Sequence, residues 1–176
     1  MSSVFTNPTV DVQALPQVEE AEFQGLDEKY LNVSLIGSII GNALFLIPVS
    51  VGIYFATANG MLWLGLLGLS LWALYFAFRL FLLVKGFRKK AYAVRERDLI
   101  YKKGLIWQRT TTVPFTRIQH ASVSEGPIEK LFGLATVKVF TAGGDSSDLS
   151  IPGLPHEAAH RMKDFVMEKA GRHESA

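Results

Sequence analysis

The chain has 176 residues, of which 49% are hydrophobic and only 19% are charged, and its mean hydropathy is positive. A charged fraction below the ~25% of typical soluble domains argues against a disordered chain and against an ordinary soluble domain. Cysteine is absent from the sequence, which excludes disulfides, thiolate metal sites and a cysteine nucleophile.

Charge is distributed very unevenly along the chain. Residues 1–30 hold six acidic residues and one lysine, whereas residues 79–138 hold thirteen basic and four acidic residues. Between them, the 49 residues from Tyr30 to Phe78 carry no charged side chain, and residues 139–176 hold four basic and six acidic residues. A basic segment directly after a long apolar one indicates a protein that works at a membrane surface.

The acidic N-terminal segment contains two prolines, Pro8 and Pro16, and few large apolar residues. A segment of this composition buries too little apolar surface to offset the entropy lost on folding. We therefore expect residues 1–30 to form a disordered acidic tail, and residues 171–176 to form a second, short tail.

The uncharged segment is long enough for two membrane-spanning helices, because one span needs about 20 apolar residues. The Asn-Gly pair at 59–60 favours a turn, so we expect spans near residues 31–57 and 61–84. Gly37 and Gly41 have the spacing that lets two helices approach closely. A buried helix of a soluble protein rarely runs this far without charge, and an acidic leading segment is untypical of a signal peptide.

Four basic residues form a membrane-proximal cluster directly after the second span: Lys85, Arg88, Lys89 and Lys90. The connection between the spans has no basic residue, so the positive-inside rule places this cluster in the cytoplasm. Two spans return the chain to the side on which it began. We therefore predict a multi-pass membrane protein whose N- and C-termini are both cytoplasmic.

Residues 85–170 have the pattern of a small, strand-rich domain. Short apolar or alternating runs separated by turn residues predict six or seven strands in a sandwich or partly open barrel. A short helical turn is expected near Ile128–Leu134, and an amphipathic helix begins near Pro155 because Ala158, Met162 and Phe165 share one face. The predicted strands are Ala91–Val94, Leu99–Lys102, Leu105–Val113, Ile118–Ser124, Thr136–Thr141 and Leu149–Ile151. A pleckstrin-homology (PH)-like domain is one candidate for this outline.

Several short motifs follow one another in this domain: Gly104-Leu105, Val113-Pro114, Arg117-Ile118-Gln119, Gly126-Pro127-Ile128, Leu131-Phe132-Gly133-Leu134, Thr141-Ala142-Gly143-Gly144 and Ile151-Pro152-Gly153-Leu154. In this order, and after a pair of apolar helices, they resemble the bacterial pleckstrin-homology-like membrane family (the YdbS/YdbT-like group). The resemblance implies a bacterial inner-membrane protein with a cytoplasmic PH-like domain. It implies no defined ligand and no set of catalytic residues.

A second group of basic residues lies around the predicted turn at Lys103-Gly104 and beyond it: Lys102, Lys103, Arg109 and Arg117. By analogy of fold with PH domains, this candidate basic face could bind anionic headgroups, at about 1 kcal/mol for each basic residue near the surface. The alternative is a solvated, membrane-facing surface without a ligand. Nucleic acid is not expected as a partner, because no recognition motif accompanies the charge.

The segment 156–160 reads His-Glu-Ala-Ala-His, which matches the zinc-peptidase motif in which two histidines hold zinc and glutamate acts as general base. No further histidine follows with metzincin spacing, and Asp164 and Glu168 lie too close on the same helix to be the distant acidic ligand. On a helical wheel, His156 and His160 face away from the apolar face. We therefore expect no metal and no cofactor, with a zinc-dependent membrane peptidase as the alternative.

The sequence therefore favours a non-enzymatic membrane protein that presents an interaction domain at the inner leaflet. Its expected partners are the bilayer with its anionic headgroups and a membrane or cytoplasmic protein, and a homo-oligomer or membership of a membrane complex remains open. A channel or transporter subunit is the third hypothesis. The absence of ionisable residues from Tyr30 to Phe78 argues against an ion path through these spans.

Overall fold

The computed structural model describes residues 21–142 and 148–174 of the chain. Two long helices precede two antiparallel sheets, and a shorter helix ends the described chain. The elements are β1 (Gln24–Gly25), α1 (Lys29–Ala58), α2 (Leu62–Phe87), β2 (Ala91–Val94), β3 (Asp98–Lys103), β4 (Arg109–Pro114), a 3-10 turn (Phe115–Arg117), β5 (Ile118–Ser124), α3 (Pro127–Leu131), β6 (Leu134–Thr141), β7 (Leu149–Pro155) and α4 (His156–Glu174). The predicted fold class, a membrane hairpin plus a mostly-β PH-like domain, is confirmed.

Helices α1 and α2 form a hairpin whose apolar surface is largely exposed. Their 30 and 26 residues correspond to about 45 and 39 Å, which exceeds the ~30 Å of a hydrocarbon core. The most apolar windows have mean hydropathies of 2.0 and 1.9, yet only 11% and 0% of them are buried inside the protein. In a soluble protein, helices this apolar would be covered by other parts of the protein. Their exposed apolar surface therefore indicates that lipid surrounds them.

The turn between the two helices is a Schellman motif. The Met61 N–H donates to the carbonyl of Ala56 at 2.8 Å, and the Gly60 N–H donates to the carbonyl of Thr57 at 3.1 Å. Gly60 has a φ of +73°, a conformation that glycine adopts without a Cβ penalty. These bonds satisfy carbonyls that α1 would otherwise leave without partners at a membrane surface.

Close packing within the hairpin occurs at Gly65 rather than at Gly37 and Gly41. A Cβ at Gly65 would lie 3.5 Å from Ile53, so α2 approaches α1 closely at this point. Gly37 and Gly41 are exposed instead, and a Cβ at either would meet no atom within 4 Å. The expectation that these two glycines bring α1 and α2 together is wrong, because spacing along a helix does not show which face meets its partner.

The strand-rich part, hereafter the head, consists of both sheets with α3 and α4. One sheet has the order β1-β2-β3-β4 and the other β5-β6-β7, with all pairings antiparallel. Apolar side chains from both sheets form the core, and α4 packs on β5, β6 and β7. The largest fully buried side chains are Phe115, Leu99, Ile100, Leu134, Ile151, Leu154, Val137, Val139 and Val166.

Three elements differ most from their sequence-based boundaries. Residues 105–108 form a loop and β4 begins at Arg109, although a strand was expected from Leu105. Strand β7 continues through Pro152-Gly153 to Pro155, because a bulge that adds one residue opposite Ala135–Val137 accommodates the pair that was expected to end it. Helix α4 continues to Glu174, into the segment expected to be a tail.

The chain before α1 is partly folded onto the head. Residues 1–20 of the expected tail lie outside the described residues, but Gln24 and Gly25 pair with Tyr92 and Ala91 at the edge of the first sheet. Leu26 is buried in the core. Composition did not indicate this pairing because an edge strand is held by backbone hydrogen bonds rather than by its own side chains.

The head rests against the membrane-proximal ends of both helices. The Asp27 N–H donates to the carbonyl of Gly153 at 3.1 Å, and the Tyr30 ring lies directly against Gly153. The same ring lies 6.5 Å from the ring of Phe87 at the end of α2. The start of α1, the end of α2 and the head are therefore on the same side of the membrane.

Candidate functional site: a basic cleft at the membrane-proximal face

A small cleft opens where the chain leaves α2 and where the β3–β4 hairpin turns. Its volume is about 170 Å³. It is lined by Lys89, Lys102, Lys103, Gly104, Gln108, Arg109 and Thr110. Four of these seven residues have cationic side chains, and none of the described residues that line the cleft is acidic. Of the predicted basic face, the structure places Lys102, Lys103 and Arg109 together and adds Lys89 from the membrane-proximal cluster.

The hairpin itself brings like charges together. Lys103 and Arg109 are directly opposite one another in the register of β3 and β4, a placement that destabilises a sheet unless something compensates it. Among the ion pairs of residues 21–142 and 148–174, none includes Lys89, Lys103 or Arg109. The cleft is thus a concentration of positive charge that an anion would relieve.

The electrostatic effect extends to a neighbouring lysine. The pKa of Lys90 is lowered, first because the side chain is partly buried and second because Lys103 is close. Its Nζ lies 5.4 Å from the centre of the Tyr30 ring, and the Nζ of Lys102 lies 4.0 Å from the centre of the Phe23 ring. An anion bound near Lys103 would favour the charged form of Lys90 and so raise its pKa.

The loop at residues 104–108 carries two exposed apolar side chains beside the cleft. Ile106 and Trp107 are 71% and 88% exposed. A Cβ at Gly86, near the end of α2, would lie 3.8 Å from the Cβ of Leu105, so the loop stands at the point where α2 leaves the membrane. A tryptophan beside basic residues at this level has the composition of an interfacial anchor.

The bend of this loop depends on Gly104. Its φ is +102°, and a Cβ there would lie 2.0 Å from the carbonyl oxygen of Trp107. Only glycine allows the loop to fold back this tightly. The turn was expected from the sequence, but residues 105–108 were expected to continue as a strand, so the exposed pair was not predicted.

The other predicted basic residues lie elsewhere. Arg117 is in the 3-10 turn between the two sheets, where its carbonyl accepts the Ala142 N–H at 3.3 Å, and it does not line the cleft. Arg88 lines a separate hollow with Glu28 and Asn32 at the start of α1. The Nζ of Lys85 lies 5.7 Å from the centre of the Phe81 ring on α2 itself.

The His-Glu-Ala-Ala-His segment forms the first turns of α4, and both histidines are exposed as the helical wheel predicted. The Glu157 side chain is 85% exposed and its Oε2 lies 3.5 Å from Nη1 of Arg161. It thus pairs with its own helix. The structure adds a residue that sequence reasoning missed, because Glu125, at the end of β5, lies against His156.

An apolar helical hairpin that carries a two-sheet head with a C-terminal helix is the architecture of a membrane-anchored PH-like protein. The bacterial PH domain family matches residues 34–170, which include most of α1 and nearly all of the head. The chain therefore belongs to the bacterial PH domain family, and with its two apolar helices it is a transmembrane protein. The match begins inside α1, so hairpin and head form one family unit.

Two relatives support this assignment. The UPF0699 transmembrane protein YdbS of Bacillus subtilis (strain 168) is 32% identical over 134 residues, which is 75% of this chain and 82% of YdbS. The UPF0699 transmembrane protein YdbT of the same organism is 36% identical over 50 residues, which is 28% of this chain and 10% of YdbT. No solved structure was found to match the chain. Neither the family nor these relatives point to a peptidase.

Proposed function

We propose that this protein is a non-enzymatic membrane anchor whose head binds anionic lipid headgroups at the inner leaflet of the bacterial cytoplasmic membrane. The observation that carries the proposal is the cleft of Lys89, Lys102, Lys103 and Arg109 at the exit of α2. An anion would reduce the repulsion between these clustered cations, and the nearest supply of anions is the headgroup layer of the same membrane.

The size of the cleft favours a single phosphate. Sites that enclose drug-sized ligands have volumes of about 300–1,000 Å³, whereas this cleft measures about 170 Å³. Arg109 offers a planar set of donors suited to phosphate oxygens, and the lysines add point charges. A phosphatidylglycerol-type or cardiolipin-type phosphate fits this description better than a polyphosphorylated ring.

The orientation of the head in the cell follows from charge. The basic cluster after α2 and the cleft lie at the same end of the hairpin, and the Asn59-Gly60 turn at the other end carries no basic residue. The positive-inside rule then assigns the head and the N-terminal segment to the cytoplasm. Because the hairpin holds the cleft against the bilayer, even weak headgroup contacts would suffice through effective concentration.

Charge reversal within the cleft tests the proposal. The full-length chain in a neutral detergent is titrated with mixed micelles containing either phosphatidylglycerol or phosphatidylcholine. The Lys103→Glu/Arg109→Glu variant is expected to lose affinity for phosphatidylglycerol by at least about 30-fold, because two contacts of ~1 kcal/mol each disappear.

The matched control is Lys130→Glu/Arg161→Glu, which makes the same change in net charge at exposed positions outside the cleft. It should bind phosphatidylglycerol like the wild type. Equal affinity of the wild type for both lipids, or equal weakening in both double variants, would contradict headgroup binding at this cleft. Capture of one protein partner that the cleft variant loses, with no preference between the lipids, would favour a protein ligand instead.

A second prediction concerns how deeply the loop at residues 104–108 enters the bilayer. Because the chain has no cysteine, Ile106→Cys creates a single position for an environment-sensitive dye. In proteoliposomes, lipids with a quencher in their acyl chains are expected to quench this dye strongly. A dye at Thr116→Cys, exposed at the opposite end of β4 and about 20 Å along the strand from the loop, should remain bright. If the dye at Ile106→Cys were quenched as weakly as the dye at Thr116→Cys, the loop would not enter the bilayer.

A further inference from the structure

The end of β5 and the first turns of α4 bring together three side chains that the basic cleft does not use. His156 and His160 are four residues apart on α4, and their ring centres lie 4.6 Å from one another. The Nδ1 of His156 contacts Oε1 of Glu125, which follows β5. One potential ligand atom from each of the three residues lies within 4.8 Å of the other two.

We propose that Glu125, His156 and His160 form a binding site for a divalent transition-metal ion of the zinc class. Ligands that share a zinc ion at bond lengths of ~2.0–2.2 Å lie roughly 3–4 Å apart. The observed separations therefore need only small side-chain rotations to reach coordination distance. Two imidazoles and one carboxylate leave at least one coordination position for water or for a group from a partner, which the exposure of all three residues permits.

The backbone on both sides of the site is held in place before any metal binds. The N–H of His156 donates to the carbonyl of Gly133 at 3.0 Å, which ties the start of α4 to the turn after α3. Next to Glu125, the Gly126 N–H donates to Oε2 of Glu129 at 2.8 Å, and the Thr136 hydroxyl donates to Oε1 of Glu129 at 2.8 Å. The three ligands are thus carried by anchored elements rather than by a loose loop.

The donor set determines which ions would bind. Imidazole prefers zinc, copper, nickel and cobalt, whereas magnesium and calcium prefer sites made of oxygen ligands. In the metal-free protein, His156 and Glu125 share a hydrogen bond, and the ion would replace its proton and draw in His160. Glu157, the general base of the peptidase motif, pairs with Arg161 rather than with this cluster.

Zinc binding to the full-length chain tests this site. The protein is purified in a neutral detergent with a histidine-free affinity tag and titrated calorimetrically with Zn²⁺ and with Mg²⁺. We expect one zinc per chain, no detectable magnesium, and a zinc-dependent rise in the melting temperature of the head, since a ligand that binds only the folded state stabilises it. The His160→Ala and Glu125→Gln variants should each weaken zinc binding by at least about tenfold, because even loss of an outer-shell partner costs about 10–100-fold.

The control is His120→Gln. His120 lies on β5 outside the cluster, and its ring packs on Phe140 of β6. It should bind zinc like the wild type and show the same zinc-dependent rise in melting temperature. The proposal would be overturned if His120→Gln lowered the affinity as much as His160→Ala, or if either cluster variant kept the wild-type affinity. Failure of this test would leave the headgroup proposal intact, because no residue is shared between the two sites.

Discussion

Replacement of Gly153 by alanine is expected to destabilise the head by roughly 2–5 kcal/mol and to loosen its contact with the hairpin. Gly153 has a φ of +68° in the bulge of β7. A Cβ there would lie 2.4 Å from Cγ and 2.6 Å from Cβ of Tyr30, atoms too close to the backbone of α1 to move freely. The added methyl group therefore combines an unfavourable backbone conformation with an overlap, and a melting curve of the full-length chain in detergent would measure the loss.

Two further variants separate those causes. Gly133 has a nearly identical φ of +67°, but a Cβ there would meet no atom within 4 Å. Gly133→Ala should therefore cost only the backbone term, about 1–2 kcal/mol. The Gly153→Ala/Tyr30→Ala double variant should recover part of the loss relative to Gly153→Ala. If Gly153→Ala proved no more destabilising than Gly133→Ala, the proposed close fit between head and hairpin would be wrong.

This contact matters for function because it orients the cleft. Tyr30 lies between Gly153 of the head, Phe87 at the end of α2, and the Nζ of Lys90. The pKa of Lys90 is lowered, first by the partial burial of its side chain and second by the nearby Lys103. The residues that hold the head against the hairpin are therefore direct neighbours of the residues proposed to bind the headgroups.

The hairpin was the most predictable part of this protein. The 49 residues without charge from Tyr30 to Phe78 exclude burial in a soluble fold more strongly than any local propensity could. The Asn-Gly turn at 59–60 is a purely local signal, and it coincides with the observed Schellman motif. By contrast, the spacing of Gly37 and Gly41 wrongly suggested a packing face for α1, because the face on which a helix packs depends on its partner.

In the head, local signals predicted most strands but not the irregular places. Gly104 marked a turn, but the extent of the loop depends on how closely the carbonyl of Trp107 approaches it, which is a property of the folded chain. Pro152-Gly153 looked like the end of a strand, and only the pairing of β7 with β6 shows that it is a bulge. A two-residue strand such as β1 carries too few residues for any periodicity.

The two candidate sites were likewise only partly predictable from the sequence. Three of the four residues in the predicted basic face lie on one hairpin, where proximity follows from register, and these three line the cleft. Lys89 also lines the cleft, but from the sequence its charge was explained by the positive-inside rule, so it was not expected to contribute to a binding site. Glu125 is 31 residues from His156, and a search for a third ligand along α4 could not find it, because contacts between elements are set by tertiary packing.

Replacement of Phe115 by alanine is expected to be the other large effect, at about 3–5 kcal/mol of head stability. Phe115 is fully buried in the 3-10 turn that joins the two sheets, and its ring lies edge-on to Phe165 of α4 at 5.9 Å between centres. Its backbone N–H also donates to the carbonyl of Arg97 at 3.0 Å, so the turn cannot simply collapse into the cavity. Chemical denaturation of the full-length chain in detergent, followed by the signal of its strands, would measure the loss.

The partner ring provides the matched control for this variant. Phe165 is 37% exposed, so Phe165→Ala removes the same ring pair, worth about 0.5–1.5 kcal/mol, but much less buried surface. It should cost clearly less than Phe115→Ala, and Phe115→Leu should lie between them because most of the volume is kept. If the two alanine variants were equally destabilising, the loss would come from the ring pair rather than from the buried position of Phe115. The turn would then not be the point that holds the two sheets and α4 together.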